Sequence, residues 1–342
     1  MEERGVDHVA AALAPTGATP LEAAIATAAV FLRQCLRSGA YALACVGSDG
    51  TPRYSDNKGH VFVASFIADA MECLLDEIDR TIILGRILSE ENDGLWGFSP
   101  PAPYQDDQVR VFYVDADDTA YVIRTLRRLG VNRPPDSLLK FYREPERLFV
   151  TFAVPGPTSL TTEASPQNNL LAHPEVNANV FLALRGTHLE RLVNYDALLQ
   201  TQDQRGVWRS YFYPSALFGT LLALEILHDP AFATATERAR ACIVGSQNAD
   251  GSWGAGSDPY ETALAIAALA GHHAHTAAIH RGVEFLLSSM GADGSWTSAA
   301  CVWNFHQDEH DVWRAYDKHR AYVSARCLFA LRRAAGQVDF VA

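Results

Sequence analysis

The chain has 342 residues, of which 48% are hydrophobic and 20% are charged, and its formal net charge is −12 at pH 7. This composition is ordinary for a globular protein that buries a sizeable core. The acidic balance disfavours nucleic-acid binding, which depends on basic patches, and it gives no help to attachment at an anionic membrane surface.

The sequence predicts a cytoplasmic protein. No stretch approaches the roughly 18 consecutive apolar residues of a transmembrane helix. The N-terminal segment carries early acids and lacks the apolar core of a signal peptide. The six cysteines, at positions 35, 45, 73, 242, 301 and 327, show no C-x-x-C spacing, which favours free thiols over a disulfide or zinc framework.

After an N-terminal tail of residues 1–20, one pattern recurs along the chain. Its clearest copies, SQNADGSWGA and SSMGADGSWTS, contain Trp253 and Trp296 at matching positions. Trp208 and Trp96 mark two earlier copies, and weaker copies surround Phe149 and residues 47–55. A fixed period of this kind is typical of a repeat architecture.

A stretch rich in small and apolar residues follows each copy: HVFVASFIADAM, DDTAYVIRTLRRLG, EVNANVFLALRG, PSALFGTLLALEIL, YETALAIAALAG and YVSARCLFALRR. Their spacing predicts helices buried on most sides, and no segment shows convincing strand alternation. Helical hairpins that cannot bury their faces alone should close on one another. We therefore predict an all-α fold, a single (α/α)6 toroid over residues 21–342, with long proline-rich loops at 97–108 and 152–169 near its mouth.

The repeat resembles the QW repeat of squalene-hopene and oxidosqualene cyclases. In the stretch RGVEFLLSSMGADGSW, the basic residue, the glycines, the Phe-Leu pair and the tryptophan of that repeat are matched, while Met290 replaces its glutamine. The slot of the glutamine holds Gln247, Gln202 and Glu90 in the other copies. The resemblance implies a structural role, in which the glutamine bonds the start of the next helix while the indole packs over it.

A second motif carries the chemistry. DADDTA at 115–120 resembles the DxDDTA acid motif of class II terpene cyclases, and HPEVNANVFLALRG resembles a neighbouring segment of the same enzymes. The resemblance covers roughly residues 60–340. It implies a single-domain, class II-type cyclase, an isomerase or intramolecular lyase in terpenoid biosynthesis that acts on a polyprenyl substrate. In this interpretation Asp117 is the proton donor, Asp115 and Asp118 poise it, and Asn179 hydrogen-bonds it.

Three carboxylates within four residues also have a simpler interpretation. Helix starts favour acids, because the first N–H groups and the helix dipole attract negative charge. Capping explains Asp117 or Asp118 but not all three. Mutual repulsion raises the pKa of at least one carboxyl, and a neutral, desolvated carboxylic acid is a suitable general acid toward an alkene or epoxide.

A carbocation formed in this way needs walls that stabilise it without reacting, which aromatic faces provide. Tyr213, Tyr260 and Tyr322 are predicted to occupy the slot of Asp117 in their own repeats, and so to rim the same mouth. We expect fewer than half of the aromatic candidates to line a cavity. The substrate-binding candidates are Phe112, Tyr113, Tyr213, Tyr260, Trp303, Phe305 and Tyr322, with Phe152, Phe181, Tyr211 and Phe218 as further possibilities.

No redox cofactor and no metal site are predicted. Magnesium would be involved only if the substrate carries a diphosphate, for which Lys58, Arg110 and Arg143 are weak candidate contacts. Residues 303–319 are rich in His and acid; His306 and His310 with Asp308 or Asp311 could bind a metal in a helix, but a solvated loop is the preferred prediction. Protein prenyltransferases share the toroid, but Val323 stands where their zinc-binding His would fall.

The expected partner is an isoprenoid small molecule. Class II cyclases of this type usually pair the acid-bearing toroid with a second one, and this chain has residues for one only. The substrate could lie inside the single barrel, or a homodimer or partner subunit could supply the missing wall. The alternative function is a non-catalytic toroid that binds a lipid or a partner protein and keeps the acids for capping.

Overall fold

A computed structural model describes residues 17–55, 60–98, 114–152, 172–270, 275–306 and 312–337. Helices form two concentric rings. The inner ring consists of α2 (Val61–Met71), α4 (Ala116–Arg128), α5 (Pro174–Leu184), α7 (Ala216–Ile226), α9 (Pro259–Leu269) and α11 (Ala321–Ala334). The outer ring contains α1 (Pro20–Ser38), α3 (Glu77–Ser89), α6 (Tyr195–Gln200), α8 (Ala233–Gly245) and α10 (Thr276–Ser289).

Each inner helix contacts the next, and α11 returns to α2, so the ring is closed. In the third repeat a 3-10 segment, Pro135–Phe141, takes the place of an outer helix. The prediction of a helical toroid built from six hairpins is therefore confirmed. Inner helices are apolar on nearly every side because they lie between the outer ring and the barrel interior; every residue of α2 is buried.

The tryptophan of each clear repeat joins an outer helix to the following inner helix. Its indole N–H donates to a main-chain carbonyl near the end of the outer helix at 2.7–2.8 Å. Its main-chain N–H donates to a hydroxyl in the first turns of the inner helix at 2.9–3.0 Å. The tryptophans and hydroxyl residues pair as Trp96 with Thr119, Trp208 with Thr220, Trp253 with Thr262, and Trp296 with Ser324.

The glutamines connect neighbouring repeats. Gln202 donates to the carbonyl of Ala235, and Gln247 donates to that of Ala278, at 2.8 and 2.9 Å. Both carbonyls lie in the first turn of the next outer helix. Gly251 makes this close packing possible, because it has a φ of 88° and a Cβ there would lie 2.5 Å from the Arg281 carbonyl oxygen.

The prediction that the chain lacks strands is wrong at two places. β1 (Leu43–Val46), β2 (Pro52–Ser55), β5 (Trp303–His306) and β6 (Val312–Asp317) form an antiparallel sheet in the order β2-β1-β6-β5. A two-stranded ribbon joins β3 (Tyr142–Arg143) and β4 (Leu148–Phe149). Residues 303–319, which were predicted to form a solvated loop, therefore lie largely in β5 and β6. The prediction failed because β6 pairs with β1 in the first repeat, and pairing between segments so far apart in the sequence leaves no local signal.

Candidate active site

The three aspartates lie at the start of α4, at the mouth end of the barrel. Asp115 is the N-cap, and its Oδ1 accepts the main-chain N–H of Asp118 at 2.8 Å. Two main-chain bonds hold this start in place, from Asp115 to the Trp96 carbonyl and from Ala116 to the Thr151 carbonyl, both at 3.0 Å. All three aspartates are buried, with 6–7% of each residue exposed. Capping therefore accounts for Asp115 alone.

Asp117 is held by side chains from two other inner segments. Asn179 on α5 donates its amide N–H to Asp117 Oδ1 at 2.9 Å, and the Tyr213 hydroxyl donates to Asp117 Oδ2 at 2.7 Å. Asn179 also donates to the main-chain carbonyl of Asp117 at 2.9 Å. Asn179 therefore contacts Asp117, the aspartate that it was predicted to hydrogen-bond. Tyr213, which was predicted to bind substrate, also hydrogen-bonds Asp117.

Arg124 is a site residue that the sequence analysis missed. Its Nη1 donates to Asn179 Oδ1 at 2.6 Å, so the amide must turn its N–H groups toward Asp117. Arg124 also pairs with Glu225 at 3.3 Å. It lies two helical turns after Asp117 on the same helix face, a spacing that could have indicated its position.

Burial raises the pKa of all three carboxyls. The pKa of Asp115 rises to about 7, mainly through burial and then through the charge of Asp117. Burial and the charges of Asp115 and Asp117 raise the pKa of Asp118 well above its ordinary value. Burial also raises the pKa of Asp117, but the hydrogen bonds from Tyr213 and Asn179 oppose this change.

A small, partly open cleft lies above these acids. Phe98 and Trp303 stack face to face in its wall, with ring centroids 3.8 Å apart. Of the aromatic candidates, Trp303 and Phe152 line it, while Phe98 and Phe212 were missed. The residues that form the cleft are Phe98, Asp115, Asp117, Asp118, Thr151, Phe152, Phe212 and Trp303.

Sheet pairing brings Trp303 to the cleft. Trp303 begins β5, opposite Ala315 of β6, and the Asn304 N–H donates to the Phe212 carbonyl at 2.6 Å. The wall therefore combines side chains from the second, third, fourth and last repeats. A search for repeat positions could not have indicated this combination.

Four other predicted aromatics, Tyr260, Tyr322, Phe181 and Tyr211, do not line the cleft. Tyr260 and Tyr322 are fully buried, and their hydroxyl oxygens lie 3.4 Å apart within the barrel. Phe181 packs against Phe149, and Tyr211 stacks on His173. Phe305 lies in β5. Phe112 and Tyr113 lie outside the described residues.

The repeat slot assigned to Tyr213 needs correction. The hydroxyl that fixes Trp208 belongs to Thr220, so the position equivalent to Asp117 in this repeat is Phe218, two residues before it. Tyr213 instead precedes the Ser215 cap of α7, where it stacks on Phe218 with ring centroids 3.8 Å apart. From there it reaches Asp117.

Aromatic rings fill the barrel below the acids. Phe62 stacks on Tyr322 at 5.6 Å, and Phe66 stacks on Tyr121 at 4.2 Å between ring centroids. The cleft that the structure describes therefore lies at the mouth rather than along the barrel axis.

Within the described ranges, no group of three His, Cys, Asp or Glu side chains is placed to hold a metal ion. Lys58, Arg110, Asp308, His310 and Asp311 lie outside those ranges, while His306 lies in β5 and Arg143 in β3. None of the described helices has the length and apolar character needed to cross a membrane.

Sequence comparison identifies relatives, although no family model matches the chain. Drimenyl diphosphate synthase from Streptantibioticus cattleyicolor is 29% identical over 201 residues, which are 54% of this chain and 36% of that protein. Terpentedienyl-diphosphate synthase from Kitasatospora griseola is 30% identical over 197 residues, 55% of this chain and 34% of that protein. The matched part is therefore about a third of the length of these curated relatives.

Solved structures show the same fold. The type II terpene cyclase MstE from Scytonema superposes with a TM-score of 0.73 at 17% identity, covering 93% of this chain and 99% of that one. ent-Copalyl diphosphate synthase from Streptomyces platensis gives a TM-score of 0.59 at 22% identity, covering 81% of this chain and 50% of that one. The resemblance to class II terpene cyclases is confirmed in sequence and in fold.

Proposed function

We propose that the protein is a class II-type terpene cyclase or isomerase that protonates a terminal alkene or epoxide of a polyprenyl substrate. One observation carries the proposal: the buried carboxyl of Asp117, held by Asn179 and Tyr213, forms part of an aromatic-walled cleft. A non-catalytic toroid that uses the acids only as caps is less well supported, because only Asp115 accepts a main-chain N–H of the helix start.

In the proposed step, neutral Asp117 transfers its proton to one carbon of the alkene, whose electron pair forms the new C–H bond. The carboxylate left behind keeps its hydrogen bonds from Asn179 and Tyr213 and the nearby charge of Arg124. These contacts make Asp117 a stronger acid than Asp118, whose pKa its neighbours raise further. A substrate that covers the cleft excludes water and favours the neutral acid before the reaction.

The cation then migrates by ring closure and ends by losing a proton, so the reaction is an isomerisation and needs no redox cofactor. The rings of Phe98, Trp303, Phe152 and Phe212 stabilise the cation by about 0.5–2 kcal/mol each. None of these four side chains offers a nucleophile that would trap it. Magnesium enters only as a companion of a diphosphate, if the substrate carries one.

Relatives support the substrate class. The names of the curated relatives refer to drimenyl diphosphate and terpentedienyl diphosphate, and a variant of MstE has been solved in complex with geranylgeranyl dihydroxybenzoate as substrate. That match covers 98% of the MstE chain, which supports action by a single toroid without a second domain. We propose a cytoplasmic enzyme in terpenoid biosynthesis.

The test is incubation of the purified protein with C15, C20 and C30 prenyl substrates, with and without a diphosphate, in H2O and in D2O. We expect cyclic product from at least one of them, with one deuterium gained from D2O at the protonated carbon. Asp117→Asn should yield none. Equal product from both proteins would exclude Asp117 as the acid, and absence of product from the wild type with every substrate would favour the lipid-binding alternative.

A further inference from the structure

A second, small cavity lies deeper in the barrel than the acids, toward its opposite end. It is formed by side chains of the inner helices α2, α4, α7 and α11, and five of these side chains are charged. They are Asp69 on α2, Arg124 and Arg128 on α4, Glu225 on α7, and Arg326 on α11. Aromatic rings separate this cavity from the cleft. The seven-residue rise from Asp117 to Arg124 amounts to about 10 Å along α4.

Both carboxylates in this cavity already have partners. Asp69 forms an ion pair with Arg128 and accepts the Tyr121 hydroxyl. Glu225 pairs with Arg333 at 2.9 Å and with Arg124 at 3.3 Å. Asp69 and Glu225 therefore form their ion pairs with arginines other than Arg326.

Arg326 is the exception in this cluster. It is 94% buried, since only 6% of the residue is exposed. Its guanidinium carbon lies 5.0 Å from the Phe66 ring centroid and 5.7 Å from that of Phe218. Arg326 forms no hydrogen bond and no ion pair with any residue in the described part of the chain.

This arrangement places more positive than negative charge in the protein interior, and the one carboxylate whose charge acts on Arg326, Glu225, is shared with Arg124 and Arg333. Four arginines (124, 128, 326 and 333) face two carboxylates. A buried charge without a counter-charge is strongly unfavourable, and ring faces offset only part of that penalty. A bound anion would offset the rest. Guanidinium groups have the planar donor geometry that matches phosphoryl oxygens, and here they approach from two helices.

We propose that this cavity is a binding site for a phosphate-type oxyanion, with Arg326 as its main ligand and Arg124 and Arg128 beside it. Two features favour a phosphoryl group over a monocarboxylate. The excess charge is about two units in this count, and donors on α4 and α11 require acceptor oxygens that point in several directions. The proposal does not depend on the acid chemistry at the mouth, because its main ligand, Arg326, is not part of the acid site; Arg124 is the residue that the two sites share.

The experiment measures binding rather than activity. Inorganic phosphate and diphosphate are titrated into the full chain by calorimetry, and the thermal unfolding temperature is followed against chloride at equal ionic strength. We expect saturable binding of diphosphate and a rise in unfolding temperature that chloride does not give. Arg326→Met should weaken the affinity at least tenfold, whereas the exposed-surface control Arg191→Met should leave it unchanged.

Leu222→Phe provides a second variant, because it narrows the cavity without removing charge and should weaken binding as well. In phosphate-free buffer, Arg326→Met should unfold at a temperature no lower than the wild type, since it removes a buried charge that has no ion-pair partner in the described part of the chain. A clear drop in that buffer would show that Arg326 serves packing alone and would overturn the proposal. Affinity unchanged by both Arg326→Met and Leu222→Phe would do the same.

The phosphoryl group could belong either to the headgroup of an isoprenoid diphosphate or to a soluble phosphate. Titration with geranyl diphosphate distinguishes these two sources. Tighter binding than free diphosphate, lost in Arg326→Met, would identify an isoprenoid headgroup as the ligand. Binding equal to that of free diphosphate would identify a soluble phosphate. Stabilisation that chloride reproduces in full would reduce the effect to ionic strength and reject a specific site.

Discussion

Two inner helices begin with hexapeptides that are identical at the first, fifth and sixth positions, and the comparison separates structure from chemistry. α4 begins with DADDTA at 115–120, and α9 begins with DPYETA at 258–263. The first position is the N-cap in both, Asp115 and Asp258. The fifth position is a threonine whose hydroxyl accepts a tryptophan N–H, at 3.0 Å in α4 and 2.9 Å in α9.

The third and fourth positions differ. In α9 they are Tyr260, which contacts only the interior, and Glu261, which accepts the Ser215 hydroxyl at 2.6 Å. In α4 they are Asp117 and Asp118, both part of the cleft. The repeat thus fixes the N-cap and the threonine that bonds the tryptophan. The proposed chemistry depends on the third and fourth positions, which the repeat does not fix. Helix capping explains what the hexapeptides share and none of what distinguishes them.

The largest expected effect is at the third position. Asp117→Asn removes the transferable proton and keeps the shape, so product formation should fall by at least about 10³-fold, within the range for loss of a general acid. Tyr260→Phe, at the same position of α9, should change the rate less than twofold. Product is measured by gas chromatography with mass detection, and a similar loss in both variants would make the position structural.

The N-caps offer a stability comparison. The pKa of Asp115 is about 7 in the folded chain against an ordinary 3.8, so the folded state disfavours its ionised form. The contribution of the neutral carboxyl to stability is complete below pH 3.8, the ordinary pKa. It declines as the pH rises from there through about 7, the pKa in the folded chain.

Asp115→Asn keeps a side-chain oxygen that can accept the Asp118 N–H at the N-cap, and it removes the ionisable group whose burial lowers stability at high pH. It should raise the free energy of unfolding, and by about 2 kcal/mol more at pH 8 than at pH 5. Urea unfolding at both pH values gives the comparison. Asp258→Asn is the matched control and should change little; an equal gain there would refute the explanation by burial and the charge of Asp117.

Tyr213→Phe should have a smaller effect. It deletes a hydrogen bond that stabilises ionised Asp117, so the rate should fall about tenfold, the weight of one hydrogen bond to a charged group. The decline of the rate at high pH should also move to higher pH, because the pKa of Asp117 rises. Tyr322→Phe, which contacts Tyr260 instead, should shift neither quantity.

The smallest effect on the rate is expected at the shared threonine, whose loss should act on stability alone. Thr119→Val and Thr262→Val each leave a buried tryptophan N–H without its acceptor, which costs about 1–3 kcal/mol. The two losses in free energy of unfolding should be equal within error. A drop in rate confined to the first variant, at unchanged stability, would show that this threonine belongs to the acid site rather than to the repeat.

The amino-acid sequence determined the repeat and its consequences. Trp96, Trp208, Trp253 and Trp296 mark the turns because these four repeats use the same two hydrogen bonds, and such local, recurrent contacts leave a periodic pattern. The toroid follows from that period. The pairing of Asn179 with Asp117 was also predicted, because the segments that carry the two residues both resemble segments of class II terpene cyclases.

Only the tertiary structure decided how the acid is surrounded. Tyr213 reaches Asp117, Arg124 fixes the Asn179 amide, and Trp303 meets Phe98, all through contacts between different repeats. The sheet that brings Trp303 to the cleft pairs the first repeat with the last. These contacts exist because the ring closes, and closure joins side chains that no local periodicity relates to one another.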